Sequence, residues 1–252
     1  MRGRQQGGSM LSKVLQPNRV KMALREGRKA YGYSLAFPSP WVVEIMGMLD
    51  FDFVWIDGEH GPFSLDQLED LCRTARAYNV TPVARVPDIG SSTILRFLDR
   101  GVRGIVGPHI ASKADAEQLV NACYFGPRGT RSFGANRGTD YNTGIADKAA
   151  YYQEANEHTL VGALLEDASV LTNLEEILSV EGIDYFGIGP NDFSQSLGYP
   201  GQPDHTEVHK AMQDITNRIH QAGRKMGEDF MVSGWVSEML LTGGRQILQK
   251  QR

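Results

Sequence analysis

Ionisable side chains follow four short apolar runs of this sequence, each at the point where the run ends. Runs of this kind are typical of strands that are buried in a parallel sheet. The carboxyl ends of parallel strands meet at one edge, and (β/α)8 barrels carry their catalytic residues there. The pattern therefore predicts one site that contains Asp57, Glu59 and His60 after F-D-F-V-W-I, Arg85 in T-P-V-A-R-V-P, Glu166 in V-G-A-L-L-E-D and Asp192 in Y-F-G-I-G-P-N-D.

Two of these residues are carboxylates that follow neighbouring predicted strands. Glu166 and Asp192 offer the oxygen ligands that a hard divalent cation prefers, with coordination positions left for substrate and water. Either carboxylate could instead cap the helix that follows it, and Asp192 could cap a helix over 193–197. Taken together with the other charged strand ends, the pair favours a metal site.

His60 and Arg85 bring acid–base and anion-stabilising chemistry to the same edge. His60 stands close to Asp57 and Glu59, and a carboxylate beside an imidazole fixes its tautomer and raises its basicity, which suits a general base. The alternative is a structural histidine in a polar loop. Arg85 ends a buried strand, so its guanidinium needs an anion. That anion is either a neighbouring carboxylate in a structural ion pair or a substrate carboxylate or enolate.

Three further motifs favour less specific roles. His205 and His209 are four residues apart on one predicted helix. This spacing can bind zinc, but no third ligand stands nearby, so a solvated helix face is favoured. Cys72 and Cys123 are predicted to be buried thiols in a reducing cytoplasm. The short G-I-G-P-N-D run before a helix offers backbone N–H groups that could hold a carboxylate.

The elements that must position these residues alternate strand with helix, which predicts parallel βαβ units in one barrel. No G-x-G-x-x-G follows the first strand, so a dinucleotide-binding sheet is disfavoured. Beyond Gly227 too few residues remain for a regular barrel, so this end is expected to be irregular. Strands are predicted at 30–37, 51–56, 81–86, 104–110, 159–166 and 184–189, with a seventh beginning at Lys225, and helices at 18–27, 40–49, 64–78, 91–100, 112–124, 147–157, 172–180 and 205–222.

The composition fits a single globular domain of 252 residues, 41% of them hydrophobic and 22% charged. A formal net charge of -4 gives no sign of a nucleic-acid groove, and no apolar run approaches the length of a membrane helix. We expect a cytoplasmic protein without nucleic-acid or membrane partners, with 1–17 as a flexible leader and 18–252 as the barrel. The irregular segment 125–144 is expected to be an active-site or interface loop.

Several motifs, taken in chain order, resemble one enzyme family. The chain is similar to the metal-dependent class II pyruvate aldolases of the 4-hydroxy-2-oxoheptanedioate aldolase family, which includes the 2-dehydro-3-deoxyglucarate aldolases. The D-G-E-H and G-P-x-D-x-S-x-S-L-G pieces together are specific for it. The resemblance extends from about residue 30 to 225 and rests on F-D-F-V-W-I-D-G-E-H, V-A-R-V-P, F-L-D-R-G, Y-F-G-P-R-G-T-R, the glutamate of L-L-E-D, and G-I-G-P-N-D-F-S-Q-S-L-G-Y-P-G.

The resemblance implies a (β/α)8 TIM barrel of the phosphoenolpyruvate/pyruvate-binding type in a homo-hexamer, arranged as a trimer of dimers. It implies that Glu166 and Asp192 hold Mg²⁺, Mn²⁺ or Co²⁺, which the 2-oxo and carboxylate oxygens of pyruvate chelate. The substrate carboxylate would also lie near the run Gly189, Pro190, Asn191 and Asp192, close to the backbone N–H groups of its last two residues.

The resemblance also assigns the remaining roles. Arg85 would stabilise the enolate oxygen, His60 paired with Asp57 would transfer protons, and Asp99 in F-L-D-R-G would reach a neighbouring subunit's site. The implied reaction is the reversible cleavage of a 4-hydroxy-2-oxo acid to pyruvate and an aldehyde. A Lewis acid and a guanidinium stabilise an enolate without a Schiff-base lysine, and no lysine stands at these strand ends.

Two departures from the family pattern keep other reactions open. Leu164 stands where the family often has a glutamine that makes polar contacts around pyruvate, and L-T-G-G-R is expected to replace the usual V-G-S-D run near the C-terminus. One alternative is the same enolate chemistry in another condensation, such as citrate formation or a decarboxylating cyclisation. A second alternative is a barrel that only binds 2-oxo acids.

Overall fold

The structure, a computed structural model, describes residues 15–250, and strands alternate with helices in this range, with two helices in succession between the fourth and fifth strands and between the sixth and seventh. The predicted rhythm is therefore confirmed. The strands are β1 (Ala30–Leu35), β2 (Phe53–Asp57), β3 (Thr81–Arg85), β4 (Gly104–Gly107), β5 (Leu160–Leu165), β6 (Tyr185–Ile188) and β7 (Met231–Trp235). The α-helices are α1 (Arg19–Glu26), α2 (Pro40–Met48), α3 (Leu65–Ala77), α4 (Ser91–Asp99), α5 (Lys113–Cys123), α6 (Lys148–His158), α7 (Val170–Leu178), α8 (Pro190–Ser196), α9 (Thr206–Gln221) and α10 (Val236–Lys250).

Side chains at the helix starts explain most of these boundaries. Asn18 caps α1 by accepting two backbone N–H groups, and Ser64 caps α3 in a reciprocal capping box. The start of α4 differs, because Gly90 is its N-cap and no side chain bonds there.

The predicted leader is only partly within the described range. Residues 1–14 lie outside it. Leu15 is buried, and the Gln16 side-chain amide donates to the carbonyl of Arg76 at 3.1 Å. Packing therefore begins ahead of the predicted boundary at residue 18.

The sheet is parallel and curled, with the strand order β6-β5-β4-β3-β2-β1-β7. The last strand pairs with the first, from Ala30 opposite Met231 to Ser34 opposite Trp235. The predicted seventh strand near Lys225 is reduced to one bridge between Phe186 and Met226. The complete eight-stranded barrel of the prediction is thus not observed within residues 15–250.

The physical reason is the short connection between this bridge and β7. Only residues 227–230 stand between Met226 and Met231, and they form one 3-10 turn over Gly227–Asp229. A crossover that includes a helix needs at least about 10 residues. The irregular end that was expected here is confirmed.

Side chains alternate between two clusters along the central strands. On β2, Val54 and Ile56 pack against the helices, whereas Phe53 and Trp55 pack inside the curl with Val83, Val106, Leu160, Leu164 and Tyr185. This period of two is the pattern of a barrel wall. Because Asp57, Arg85 and Glu166 follow inward residues by two positions, their side chains lie at the inner carboxyl edge.

The segment 125–144 connects the end of α5 to α6 and lies at the opposite, amino edge, where Arg137 and Asp140 line a cavity with Thr81 and Arg103 at the strand starts. It contains a short 3-10 turn, Arg137–Asn142, whose Asp140 accepts hydrogen bonds from Arg76 at the end of α3. The segment is therefore not part of the active site of its own chain, and the prediction of an active-site loop is wrong in that respect. Asp99, the last residue of α4, lies at this edge too.

Two helices carry exposed apolar surfaces. On α10 only Val236 is buried, and the L-T-G-G-R run lies inside this helix. No helix within residues 15–250 is long and apolar enough to cross a membrane. The exposed apolar residues are Trp41, Ile45 and Met48 on α2 with Leu49 after it, and Met239, Leu240, Leu241, Ile247 and Leu248 on α10.

Candidate active site

Arg85 is held by two carboxylates at the ends of β2 and β3. Asp57 stands opposite Arg85 in the sheet register, and both of its oxygens accept from Nη2 of Arg85 at 2.9 Å. Oε2 of Glu59 lies 3.0 Å from Nη1, and the guanidinium lies over the ring of Trp55 at 5.4 Å. Of the two anions considered for Arg85, the structure provides the neighbouring carboxylates. Their arrangement fixes the guanidinium at the inner edge.

His60 is not paired with Asp57 as predicted. The Asp57 carboxylate accepts from the backbone N–H of His60 at 3.2 Å, and its remaining capacity goes to Arg85. The nearest carboxylate to the His60 ring is Glu59, with Oε2 at 3.9 Å from Nε2, and the His60 side chain is 65% exposed. The predicted pairing is absent because Arg85, on the neighbouring strand, binds the Asp57 carboxylate instead.

Glu166 is a buried carboxylate with a single hydrogen-bond donor in the described contacts. Its residue is 2% exposed, and Oε1 accepts from the backbone N–H of His109 at 3.3 Å. Burial raises the pKa of Glu166, while the His109 hydrogen bond and the positive charge of Arg85 oppose the rise. A carboxylate in this environment is stabilised in its charged form by a cation.

Glu166 approaches the start of the helix that bears Asp192, at a glycine. Gly189 is the N-cap of α8, and a Cβ at that position would lie 2.2 Å from Oε2 of Glu166. Asp192 lies in the first turn of the helix that Pro190 begins. The alternative prediction of Asp192 as a cap for 193–197 is therefore wrong, and its half-buried carboxylate forms no ion pair within residues 15–250.

The donor set fits a hard divalent cation. Glu166 and Asp192 both offer oxygen ligands, and Glu166 forms no ion pair with the residues that the structure describes. No group of three or more His, Cys, Asp or Glu residues suited to a metal is found within the described range. A cation here would therefore depend on two carboxylates, with substrate and water in its other positions.

His109 belongs to the same edge, although the sequence did not single it out. It follows β4 with a left-handed backbone, φ 51°, which is uncommon for a residue other than glycine. Nδ1 lies 3.4 Å from Oδ2 of Asp167, Nε2 lies 3.9 Å from Oε1 of Glu59, and the side chain is 53% exposed. Its place after a buried strand is the same pattern that identified the other site residues.

An apolar layer lies beneath the charged side chains. Leu164 precedes Glu166 by two residues on β5 and packs in the same cluster as Trp55. Trp235 at the end of β7 meets Trp55 edge to face, with ring centroids 5.9 Å apart. A substrate that contacts Glu166 and Arg85 would therefore rest on aromatic and aliphatic surface.

Other candidates remain apart from this edge. Asp99 lies at the amino edge, so it is not part of the site of its own chain. His205 is the N-cap of α9 and stacks on Tyr199 at 4.0 Å, and His209 lies near Asp204, so neither binds zinc with the other. Cys72 and Cys123 are free and buried as predicted, and burial raises the pKa of Cys72 to about 12.

The chain is similar to proteins of one family over most of its length. The sequence profile of the HpcH/HpaI aldolase/citrate lyase family matches residues 33–249. A hydroxypyruvate/pyruvate aldolase of Rhizorhabdus wittichii is 35% identical over 231 residues, which are 90% of this chain and 89% of that enzyme.

Two solved structures extend the similarity. An HpcH/HpaI aldolase/citrate lyase family protein of Burkholderia cenocepacia J2315 is 27% identical with a TM-score of 0.83, over 93% of this chain and 99% of that one. Citrate synthase SbnG is 27% identical with a TM-score of 0.78, over 92% and 96% of the two chains. The predicted resemblance is confirmed. This chain belongs to the HpcH/HpaI aldolase/citrate lyase family.

Proposed function

We propose that this protein is a metal-dependent aldolase that reversibly cleaves a 4-hydroxy-2-oxo acid to pyruvate and an aldehyde. The observation that carries the proposal is the close approach of the buried Glu166 carboxylate to Gly189, the N-cap of the helix that bears Asp192, at the same inner edge as Arg85. The similarity to a hydroxypyruvate/pyruvate aldolase supports it.

The proposed roles follow from the charge that the reaction creates. Breaking the bond between C3 and C4 leaves an electron pair on the pyruvate fragment as an enolate. Arg85, fixed by Asp57 and Glu59, places a guanidinium where that charge develops. Mg²⁺, Mn²⁺ or Co²⁺ held by Glu166 and Asp192 would supply Lewis-acid stabilisation of the same charge. The N–H groups of Asn191 and Asp192, in the first turn of α8, would hold the substrate carboxylate.

His60 is proposed as the group that moves protons. It takes the proton of the 4-hydroxyl as the aldehyde forms, and a proton must later reach C3 of the enolate to give pyruvate. The ring is exposed and its nearest carboxylate is Glu59, so it is accessible to a substrate at the edge of the sheet. Asp57 then acts on catalysis through Arg85, which it binds, and not through the His60 ring.

A homo-hexamer, arranged as a trimer of dimers, is proposed as the working assembly. The exposed apolar surfaces of α2 and α10 support burial between subunits. Asp99 lies at the amino edge, and its Oδ1 is buried without a hydrogen-bond partner. We therefore assign Asp99 to the site of a neighbouring subunit. A cytoplasmic location stays a prediction.

A second candidate function is condensation of a 2-oxo acid with another acceptor. Leu164 favours it, because this apolar side chain lies two residues before Glu166, where a polar side chain would contact substrate. The similarity to citrate synthase SbnG points in the same direction.

One experiment distinguishes these functions. The purified protein is incubated with pyruvate and a panel of aldehydes, with and without added Mn²⁺, and products are identified by mass spectrometry. Aldehyde-dependent consumption of pyruvate supports the aldolase. Consumption that requires an acyl-CoA instead supports the condensation. Calorimetric binding of pyruvate without turnover under any condition contradicts both and leaves a binding protein.

A further inference from the structure

Buried polar atoms without hydrogen-bond partners are concentrated at the amino edge of the sheet, away from the proposed active site. Seven such side-chain atoms occur in the described part of the chain, and one of them, Oε2 of Glu59, belongs to the carboxyl edge. The other six belong to Asp99, Arg100, Arg131, Asn136, Arg137 and Asn142. Because buried polar groups are normally satisfied, this edge needs an explanation.

Arg131 is the most deeply buried charge of the group. Its side chain is 6% exposed, and Nε has no partner. The nearest carboxylate oxygen, Oδ1 of Asp99, is 3.9 Å from Nη2, beyond hydrogen-bond distance. The guanidinium lies over the ring of Phe125 at 4.5 Å, which holds it in place without neutralising it.

Arg103, directly before β4, carries a second poorly compensated charge. Nη2 donates to the backbone carbonyl of Gln16 at 3.1 Å, and Arg103 forms no ion pair within residues 15–250. Burial lowers the pKa of Arg103 to about 10, the positive charge of Arg131 contributes to the lowering, and Tyr151 and the Asp140 carboxylate oppose it. The two guanidiniums therefore repel each other in a poorly solvated place.

A small cavity of about 10 Å³ lies between these two arginines. Its lining includes Arg103, Arg131 and Tyr151 but no carboxylate among the described residues. Apolar side chains such as Leu98 and Val102 form much of the rest. The volume holds about one water-sized sphere. A water molecule there could accept hydrogen bonds, but it would add no negative charge beside two buried guanidiniums, which is costly. Arg103 has no ion pair among the described residues, and Arg131 has only the 3.9 Å approach of Asp99.

We propose that this cavity binds a single-atom anion, a halide such as chloride, between the guanidiniums of Arg103 and Arg131. One negative charge at this point attracts both cations and offers an acceptor to the unpartnered Nε of Arg131. Bound there, the ion ties the start of β4 to the segment 125–144, which is also held to α3 through Asp140 and Arg76. Asp140, Tyr141 and Asn142 all have left-handed φ values, 49° to 63°.

The size of the cavity selects the class of anion. A neighbouring cavity of about 50 Å³ is lined by Arg76, Arg103 and Arg137, and it has room for a small oxyanion. Asp140 also lines that cavity and already binds Arg76. The poorly compensated pair is therefore Arg103 with Arg131. The smaller cavity favours a halide, and the larger cavity favours a small oxyanion.

The first test uses the unaltered protein, dialysed free of halide and unfolded by heat in sodium gluconate, chloride, bromide or phosphate at equal ionic strength. Chloride and bromide should raise Tm by about 3 °C over gluconate, as expected for an ion present at several times its Kd, and phosphate should not. Equal Tm values in all four salts would overturn the proposal. A larger rise in phosphate would also overturn it and would assign the anion to the larger cavity.

A second test locates the ion. Arg131→Met should abolish the difference between chloride and gluconate, whereas Arg128→Met should retain it, because Arg128 is exposed and also stacks on an aromatic ring, Tyr124, at 4.1 Å. If Arg131→Met does not fold, crystals of the unaltered protein grown in bromide decide the question. An anomalous peak between Arg103 and Arg131 is expected, and bromide found only on the surface contradicts the site.

Discussion

Buried charge is arranged with opposite signs at the two edges of the sheet. At the carboxyl edge, Asp57 and Glu59 outnumber Arg85, and Glu166 adds a further buried carboxylate without a cation. At the amino edge, Arg103 and Arg131 line a cavity to which no described carboxylate contributes. Since unpaired buried charge destabilises a fold, each edge favours a ligand of the other sign. The first suits a divalent cation and the second a small anion.

Metal removal is expected to have the largest effect, because it leaves Glu166 buried without a counter-charge and removes the Lewis acid. Dialysis against EDTA should abolish pyruvate formation, and Mg²⁺, Mn²⁺ or Co²⁺ should restore it, as measured by pyruvate release from a 4-hydroxy-2-oxo acid. Glu166→Gln should not be restored by metal. Full activity in excess EDTA, with no metal by elemental analysis, would remove the basis for a cation at this edge.

His60→Ala should lose roughly 10² to 10⁴-fold in kcat, the range of a general base, with metal binding unchanged by calorimetry. His209→Ala is the matched control, because the His209 side chain is similarly exposed, at 61%, but lies on α9. A kcat for His60→Ala equal to that of the control would show that the histidine is only a loop residue.

Asp99→Asn, at the amino edge, should also impair catalysis if it completes a neighbour's site. Mixing inactive Asp99→Asn and His60→Ala chains under subunit exchange should then recover activity, because some hybrid sites receive both intact residues. If native mass spectrometry proves subunit exchange but no activity is recovered, Asp99 does not complete the site of a neighbouring subunit.

Arg85→Lys should lower kcat by about 10²-fold, the typical cost of losing one oxyanion donor. The reason is that a lysine ammonium lacks the planar fork of a guanidinium and cannot bind both carboxylates and the enolate at once. Asp57→Asn should act in the same direction through the position of Arg85. Steady-state kinetics and Tm are measured together. An unchanged kcat with a lowered Tm would show that Arg85 only forms a structural ion pair.

Gly189→Ala should have the smallest effect, about tenfold in metal affinity, because the new Cβ would approach Oε2 of Glu166 and displace the carboxylate. Gly243→Ala on α10 is the control, since a Cβ there meets nothing within 4 Å. Metal affinity equal to that of the control would mean that Glu166 and Asp192 do not act as a pair.

The placement of Asp57, Arg85 and Glu166 could be predicted from sequence, because strand periodicity and parallel register together determine both face and edge. The partner of Asp57 could not. His60 is three residues away along the chain, but Arg85 is adjacent across the sheet. Sequence distance alone does not tell which of the two binds the Asp57 carboxylate. The uncompensated state of Arg103 and Arg131 was equally inaccessible, because it depends on which carboxylates fail to reach them.

Two other differences have topological causes. The segment 125–144 was recognised as irregular from its composition, but its edge follows from connectivity: it begins where α5 ends, at the amino edge, and precedes α6. The small number of residues after Gly227 already indicated an irregular end near the predicted seventh strand. Its replacement by a single bridge depends on how tightly those residues turn.

The single turn at Gly227–Asp229 makes the gap between β6 and β7 a natural place to enlarge the protein. A sheet edge with one bridge is a site where unrelated strands can pair and aggregate. Loop length has only a weak entropic cost, so a helix and strand inserted after Gly227 could complete the cylinder while both chemically distinct edges stay in place. The short connection between Met226 and β7 is thus a place for engineered insertions that is separate from Arg85, Glu166 and the arginine cavity.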